Sequence, residues 1–208
     1  SYSGSLAEVD GRPAIAYVDG SNADVRFSLN ANADGSGVWT TSTVLAGNFG
    51  FTSLAIVGGY PTVLFRDYAA PYTVQVARNA AANATGAWTT VSTGASSVQI
   101  SALMEVGGSA AFACIDQTTG ALKFIRNTAA DLSGTWVTSV VQTGTPPTDF
   151  LSFPKNYQPK LVLAAGKPAV FFVMNDGSGN MMRFAINSAA DGSGTWTITD
   201  AGAVADNT

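Results

Sequence analysis

The chain has 208 residues, and its ten Lys and Arg against fourteen Asp and Glu give a net charge of −4 without any His. Charged residues make up 12% of the chain and hydrophobic residues 46%, a composition that excludes a disordered chain. The ten cations are scattered, so we expect no nucleic-acid partner. No apolar run reaches the roughly 20 residues of a membrane helix, so we expect no membrane insertion. The lack of His excludes any mechanism that needs a histidine base.

The single cysteine excludes an internal disulfide and a cysteine metal site. Cys114 lies in the apolar run 110–115, where we expect a small buried side chain. The chain begins at Ser1 without a Met or a secretory leader, which is typical of a trimmed or mature form. Because the polar surface must come from Ser, Thr, Asn and Gly, we expect an extracellular or cell-surface location.

The first unit of the sequence predicts four short strands in chain order. These are residues 5–9, 13–18, 24–29 and 38–45, which we call strands a, b, c and d. A Gly-centred hairpin turn at 10–11 separates strands a and b, and polar turns at 19–23 and 30–37 separate the others. No helical periodicity accompanies them.

A ten-residue phrase that joins strands c and d recurs four times. It has the form N-x-x-x-[D/N]-x-x-G-x-W and ends at Trp39, Trp88, Trp136 and Trp196. A second phrase over strands a and b recurs with it, so the chain is a repeat of units about 50 residues long. We therefore predict one domain, 1–208, whose units lie near 1–49, 50–98, 99–150 and 151–208.

The strands differ in how far they are buried. Strand b is apolar on both faces, as in 14–18 and 169–173, which indicates a sheet covered on both sides. Strand d alternates with Thr and Ser, which is typical of an outer edge. This gradient predicts an all-β, four-bladed β-propeller with four antiparallel strands per blade. A sandwich or a β-solenoid is the alternative.

The phrase between strands c and d has a structural interpretation. Its acid or amide side chains accept hydrogen bonds from their own turn, its glycines supply a positive φ, and its indoles anchor strand d on a neighbouring sheet. The acids and the amide are Asp34, Asn83, Asp131 and Asp191, and the glycines are Gly37, Gly86, Gly134 and Gly194.

The same phrase resembles the Asp-box of sialidase-like propellers, S-x-D-x-G-x-x-W, although its Gly stands one residue later. The whole unit is similar to bacterial surface repeats of the form G-x-P-A-I-S-Y-Y-D, which read here from Gly11 to Asp19. The resemblance implies a β-propeller of a surface protein. It does not bring the sialidase catalytic set, because four of the six arginines fall at repeated places on strand c rather than in a converging triad.

The ends of strand b point to a ligand site. Each unit places an Asp there, and the insertion at 144–159 lies at the same end of the predicted ring. The candidate ligand-binding residues are Asp19, Asp67, Asp116, Asp176, Tyr17 and Tyr68. Carboxylates beside aromatic rings suit sugar hydroxyls, whereas the alternative is that these acids only cap their turns. Loose calcium loops at 19–24 and 175–180 lack a full ligand series, so we expect no cofactor and assign no metal ligands, with calcium left open.

These observations predict a secreted or surface protein without enzymatic activity. We expect a binding or adhesion module with a glycan or another surface ligand as its partner. The alternative is a structural subunit of an extracellular fibre built from identical subunits, because sparse charge opposes association weakly. A glycosidase-like enzyme is the third hypothesis.

Overall fold

The computed structural model describes residues 4–144, 158–175 and 180–203. Within these ranges the chain forms sixteen β-strands and no helix, and accordingly no described helix could cross a membrane. The predicted all-β class is confirmed. The first unit forms β1 (Gly4–Val9), β2 (Arg12–Val18), β3 (Val25–Asn30) and β4 (Trp39–Leu45), within one residue of the predicted strands at each end.

The other units repeat this antiparallel order. The second unit forms β5 (Phe49–Val57), β6 (Tyr60–Asp67), β7 (Thr73–Asn79) and β8 (Trp88–Ile100). The third forms β9 (Met104–Val106), β10 (Ser109–Asp116), β11 (Leu122–Asn127) and β12 (Trp136–Gln142). The fourth forms β13 (Lys160–Ala164), β14 (Lys167–Asn175), β15 (Asn180–Asn187) and β16 (Trp196–Ala203). Units 1 and 4 are each a separate four-stranded sheet.

Units 2 and 3 depart from the prediction of separate sheets. Strand β8 is 13 residues long, pairs first with β7 and then continues to pair with β10 of the next unit. The two units therefore share one eight-stranded sheet, in which the end of β8 and the short strand β9 both pair with β10. The register of β8 against β7 shifts between Ser92 and Ser96, just before the pairing with β10 begins, and Gly94 lies in that stretch with a φ of 73°. A positive φ suits glycine and lets the strand bend from one unit into the next.

Neighbouring units pack face to face through three hydrophobic cores. In each unit the Trp that opens strand d marks one face of the sheet, which we call the Trp face. The Trp face of each later unit packs on the opposite face of the unit before it, joining units 1 and 2, 2 and 3, and 3 and 4 among the described residues. Phe27, Phe112 and Phe124 lie in these cores with almost no exposed surface. This face-to-face stacking is how propeller blades pack.

Candidate functional site

A buried asparagine holds each turn between strands c and d. These residues are Asn30, Asn79, Asn127 and Asn187, all at most 1% exposed. In unit 4 the Oδ1 of Asn187 accepts hydrogen bonds from the N–H groups of Ala189 and Gly194 at 2.9 and 3.0 Å. Its Nδ2 donates to the carbonyls of Gly192 and Gly194. The repeated phrase begins with this Asn four times, which is the signal that the sequence interpretation did not use.

The acids of the same phrase act within their own turn. Asp34 Oδ1 accepts hydrogen bonds from the backbone N–H and the hydroxyl of Ser36 at 3.0 and 2.7 Å. These bonds lower the pKa of Asp34, and the pKa values of Asp131 and Asp191 are lowered by the same bonds from Ser133 and Ser193. The Asn83 side chain makes the same pair of bonds with Thr85. The turns therefore hold these groups at the surface as structural elements.

The predicted reason for the glycines of the phrase is wrong. The positive φ falls two residues earlier, directly after the acid or amide, at Gly35, Ala84, Leu132 and Gly192. The later glycines are Gly37, Gly86, Gly134 and Gly194, and they have no such φ. A Cβ on any of them would lie 2.7–2.9 Å from the Oδ1 of the anchoring Asn. Glycine is therefore required by close contact with the asparagine rather than by backbone conformation.

The tryptophans lie against the preceding unit where one is present. Trp88 contacts Phe27 with ring centroids 5.2 Å apart, and Trp196 contacts Phe124 at 5.4 Å. The third, Trp136, packs against the core between units 2 and 3. Trp39, whose face has no preceding unit among the described residues, is 40% exposed.

Two of the acids that end strand b are held by a cation from strand c. Asp19 lies 3.4 Å from the Nε of Arg26 and accepts a hydrogen bond from the N–H of Ser21. Asp116 lies 2.6 Å from the Nζ of Lys123. Burial alone would raise the pKa of Asp116, but hydrogen bonds from Lys123 and Thr119 outweigh it and lower the pKa to about 2. These carboxylates cap their turns, and Asp176 lies outside the described residues.

Asp67 differs from its two described counterparts because its partners are uncharged. Gln75 occupies the strand c position of Arg26 and Lys123, and its Nε2 donates to Asp67 Oδ1 at 3.2 Å. The hydroxyl of Thr73 donates to the other oxygen of the carboxylate. Both oxygens are thus oriented without a neutralising cation, and among the described residues no ion pair involves Asp67.

Unit 2 departs from the repeat at a second position beside this carboxylate. Arg66 stands where strand b has Val18 in unit 1 and Ile115 in unit 3. Its guanidinium lies 5.3 Å from the centre of the Tyr72 ring and donates to the carbonyl of Ser97 at 3.4 Å. Burial lowers the pKa of Arg66. Comparing the four units position by position would have found Arg66 and Gln75, which the sequence interpretation missed.

The two tyrosines predicted for the site lie in different settings. Tyr68 directly follows Asp67 and is 62% exposed, so its ring is open to a ligand. Tyr17 is half-buried on the Trp face of unit 1, opposite Arg26 in the strand pairing. The candidate site is therefore the end of strand b in unit 2, formed by Asp67, Tyr68 and Gln75, whereas Arg66 lies on the opposite face of the strand, toward unit 3. We call it the unit 2 site.

The candidate calcium loop at 19–24 uses its acids in other contacts. Both Asp19 and Asp24 contact Arg26, at 3.4 and 3.2 Å, and Asp24 Oδ1 also accepts the N–H of Gly47. No group of three or more His, Cys, Asp or Glu side chains suited to a metal ion occurs in residues 4–144, 158–175 and 180–203. The second loop, 175–180, lies largely outside the described residues.

No family model and no curated protein matches the sequence. Solved structures do share the fold. An α-L-arabinofuranosidase from Lactobacillus brevis matches with a TM-score of 0.61 at 8% identity, over 94% of this chain and 71% of that one. An exo-β-1,3-galactanase from Phanerochaete chrysosporium matches at 0.57 and 14%, over 96% of this chain and 49% of that one. A thermostable family-43 glycoside hydrolase matches at 0.52 and 7%, over 94% and 70%.

These neighbours support the β-propeller fold and correct two predictions. The sequence interpretation expected a non-enzymatic adhesion module, and that expectation is corrected, because solved structures that share the fold are named as an arabinofuranosidase, a galactanase and a family-43 glycoside hydrolase. The sialidase-like reading of the turns also finds no support among them. The chain spans about half of the length of the galactanase.

Proposed function

We propose that the chain is a glycosidase-like enzyme that acts on a polysaccharide outside the cell at the unit 2 site. In this proposal the four repeat units are four blades around a common axis, and the ends of their b strands share one end of the ring. The fold, common to enzymes named as an arabinofuranosidase, a galactanase and a xylanase, supports the substrate class.

One observation carries the assignment within the molecule. Among the described acids that end strand b, Asp67 has neutral partners where Asp19 and Asp116 have cations. A carboxylate that is oriented but not paired with a cation is available to interact with a sugar. Tyr68 beside it exposes an aromatic ring on which a pyranose can stack.

The chemistry asked of Asp67 is that of a glycosidase carboxylate. Hydrolysis breaks the bond between the anomeric carbon and the leaving oxygen, adds water at that carbon and returns a proton to the leaving oxygen. Two carboxyl groups share these tasks in such enzymes. Asp67 is assigned as one of them, with Thr73 and Gln75 fixing its orientation.

Release of reducing sugar from arabinan, β-1,3-galactan and xylan tests the proposal. We expect Asp67→Asn to lower kcat by about 100-fold or more, because a positioned acid or base contributes at least that much.

The matched control is Asp116→Asn, which changes the same repeat position where the acid caps a turn and pairs with Lys123. It should retain the wild-type rate at neutral pH. A wild-type protein that releases no sugar from any of the three polysaccharides would overturn the enzyme proposal. Loss of activity in the Asp116 variant together with full activity in the Asp67 variant would overturn the choice of site.

A further inference from the structure

Among the described residues, the first and fourth units each present one apolar face that no neighbouring unit covers. Four repeat-equivalent leucines of strand a show this most clearly. Leu54, Leu103 and Leu161 are 5%, 4% and 7% exposed, whereas Leu6 is 69% exposed. The first three lie on the Trp faces of units 2, 3 and 4, each packed against the preceding unit, and Leu6 lies on the Trp face of unit 1.

The opposite face of unit 4 shows the same loss of burial. Phe27 and Phe124 are 2% and 1% exposed under the tryptophan of the next unit, but the equivalent Phe184 is only half-buried. Val162 on the same face is 46% exposed. Of the core clusters among the described residues, none joins unit 4 to unit 1. We call the space between these two faces the open seam.

At each packed interface between two neighbouring units, which we call a closed seam, a strand c residue of the earlier unit lies near a turn residue of the later unit. Arg126 of unit 3 lies 3.2 Å from Asp191 of unit 4, and the charge of Arg78 lowers the pKa of Asp131 in the next unit. Between units 1 and 2 the same two positions hold Leu29 and Asn83, so both are uncharged. Where the strand c position holds a cation, the turn position of the next unit holds an acid. Where the strand c position is apolar, the turn position of the next unit holds an amide.

Direct closure of unit 4 on unit 1 would break this match. It would bring Ile186, at the Arg126 position, to Asp34. Two copies joined in one larger ring would produce the same mismatch. A blade inserted between them resolves it when that blade presents an uncharged turn residue to Ile186 and an arginine to Asp34. Unit 2 has this combination in Asn83 and Arg78.

A second contact between units 2 and 3 also favours a blade of the unit 2 type beside unit 1. Glu105 of unit 3 accepts a hydrogen bond from the backbone N–H of Gly58, in the a–b turn of unit 2, at 2.6 Å. Glu8 occupies the equivalent position in unit 1 and is exposed. It lines a cavity of about 260 Å³ along the open seam, together with Leu6 and Pro13. A blade with a turn like that of unit 2 would place an N–H group at Glu8.

We propose that the open seam binds a fifth four-stranded blade of the same repeat, of the type of unit 2. The blade would cover Leu6 and Trp39 with one face and Phe184 with the other. It would also pair its arginine with Asp34. This inference concerns assembly of the ring and does not rest on the proposed enzymatic function.

The test adds one unit to the full chain. A copy of residues 50–98 is fused after residue 208 in one protein and before residue 1 in a second protein. Both fusions are made because unit 4 and unit 1 each border the open seam. Binding of an environment-sensitive apolar dye, the melting temperature and the mass in solution by light scattering are measured for both fusions and for the 208-residue chain. The matched control carries the Arg78→Asp change in the added copy only.

We expect the 208-residue chain to bind the dye, and at least one fusion to bind several-fold less, to melt several degrees higher and to remain a monomer. The control fusion should recover part of the dye binding. Dye binding and melting temperature equal to those of the 208-residue chain in both fusions would overturn the proposal. A 208-residue chain that binds no dye, either as a monomer closed on itself or as a two-chain particle, would also overturn it.

Discussion

The indole N–H of Trp196 donates a hydrogen bond to the hydroxyl of Ser139 on the preceding unit, at 3.1 Å. The equivalent indole at the seam between units 2 and 3, Trp136, has no such partner for its buried Nε1. Val91 occupies the position of Ser139 there and offers no acceptor. The two seams thus place the equivalent indole against the preceding unit with and without a polar bond.

Substitution at these two positions should change stability in opposite directions. Ser139→Ala leaves the Trp196 N–H buried without an acceptor, so we expect the free energy of unfolding to fall by about 1–2 kcal/mol. Val91→Thr offers Trp136 an acceptor in a side chain of the same shape, and we expect a gain of about 1 kcal/mol. Urea unfolding followed by tryptophan fluorescence measures both. Equal effects of the two changes would contradict the role of the bond.

Substitution of the turn asparagine should lower the free energy of unfolding far more than substitution of the acid four residues after it. Asn187→Ala leaves the N–H groups of Ala189 and Gly194 without their acceptor in a buried turn, and we expect a loss of about 3 kcal/mol. Asp191→Asn is the control, because Asn83 shows that an amide makes the same turn in unit 2. Thermal unfolding of both variants gives the comparison. A larger loss in the Asp191 variant would show that the acid, not the amide, holds the turn.

Local patterns were sufficient to predict most of the strands. The hairpin at 10–11 and the apolar run of strand b depend on neighbours in sequence, so β1 to β4 agree with the prediction within one residue at each end. The continuation of β8 from unit 2 into unit 3 depends on pairing with β10, a partner that no local pattern reveals. The glycine of the phrase was misread for a related reason, because its neighbour in space is the asparagine seven residues earlier.

The candidate site was only half visible in the sequence. The acid at the end of strand b recurs and could be named, so Asp67 and Tyr68 were predicted together with their counterparts. What separates Asp67 from Asp19 and Asp116 is its strand c partner Gln75, which stands where units 1 and 3 have Arg26 and Lys123, and a search for shared residues passes over it. A repeat directs attention to what its units share, whereas the unit 2 site lies where one unit differs.

The buried thiol of Cys114 should be inert in the folded protein. The side chain is 1% exposed in the core between units 2 and 3, and burial raises its pKa to about 12. A thiol reacts as the thiolate, so the folded chain should not react with Ellman's reagent at pH 8. In guanidinium chloride we expect one thiol per chain. Rapid reaction without denaturant would show that this seam opens readily.

The ion pair between Asp116 and Lys123 should make stability depend on pH in acid. The pKa of Asp116 is lowered from 3.8 to about 2 in the folded chain, so the folded state binds its proton less readily than the unfolded state does. The group therefore stabilises the fold fully above about pH 4, and this contribution is lost as the pH falls towards 2. Its size is about 2 kcal/mol.

Asp116→Asn isolates this contribution, because the amide keeps the size of the side chain and removes its charge. The difference in unfolding free energy between wild type and variant should be largest at pH 5 and shrink as the pH is lowered to 2. Urea unfolding at half-unit pH steps measures it, with Lys123→Met as a second variant that removes the ammonium while the carboxylate stays. The Lys123 variant should show a weaker acid dependence than the wild type, since the bonds from Thr119 remain. A difference that is constant from pH 5 to pH 2 would mean that Asp116 titrates alike in the folded and unfolded chains.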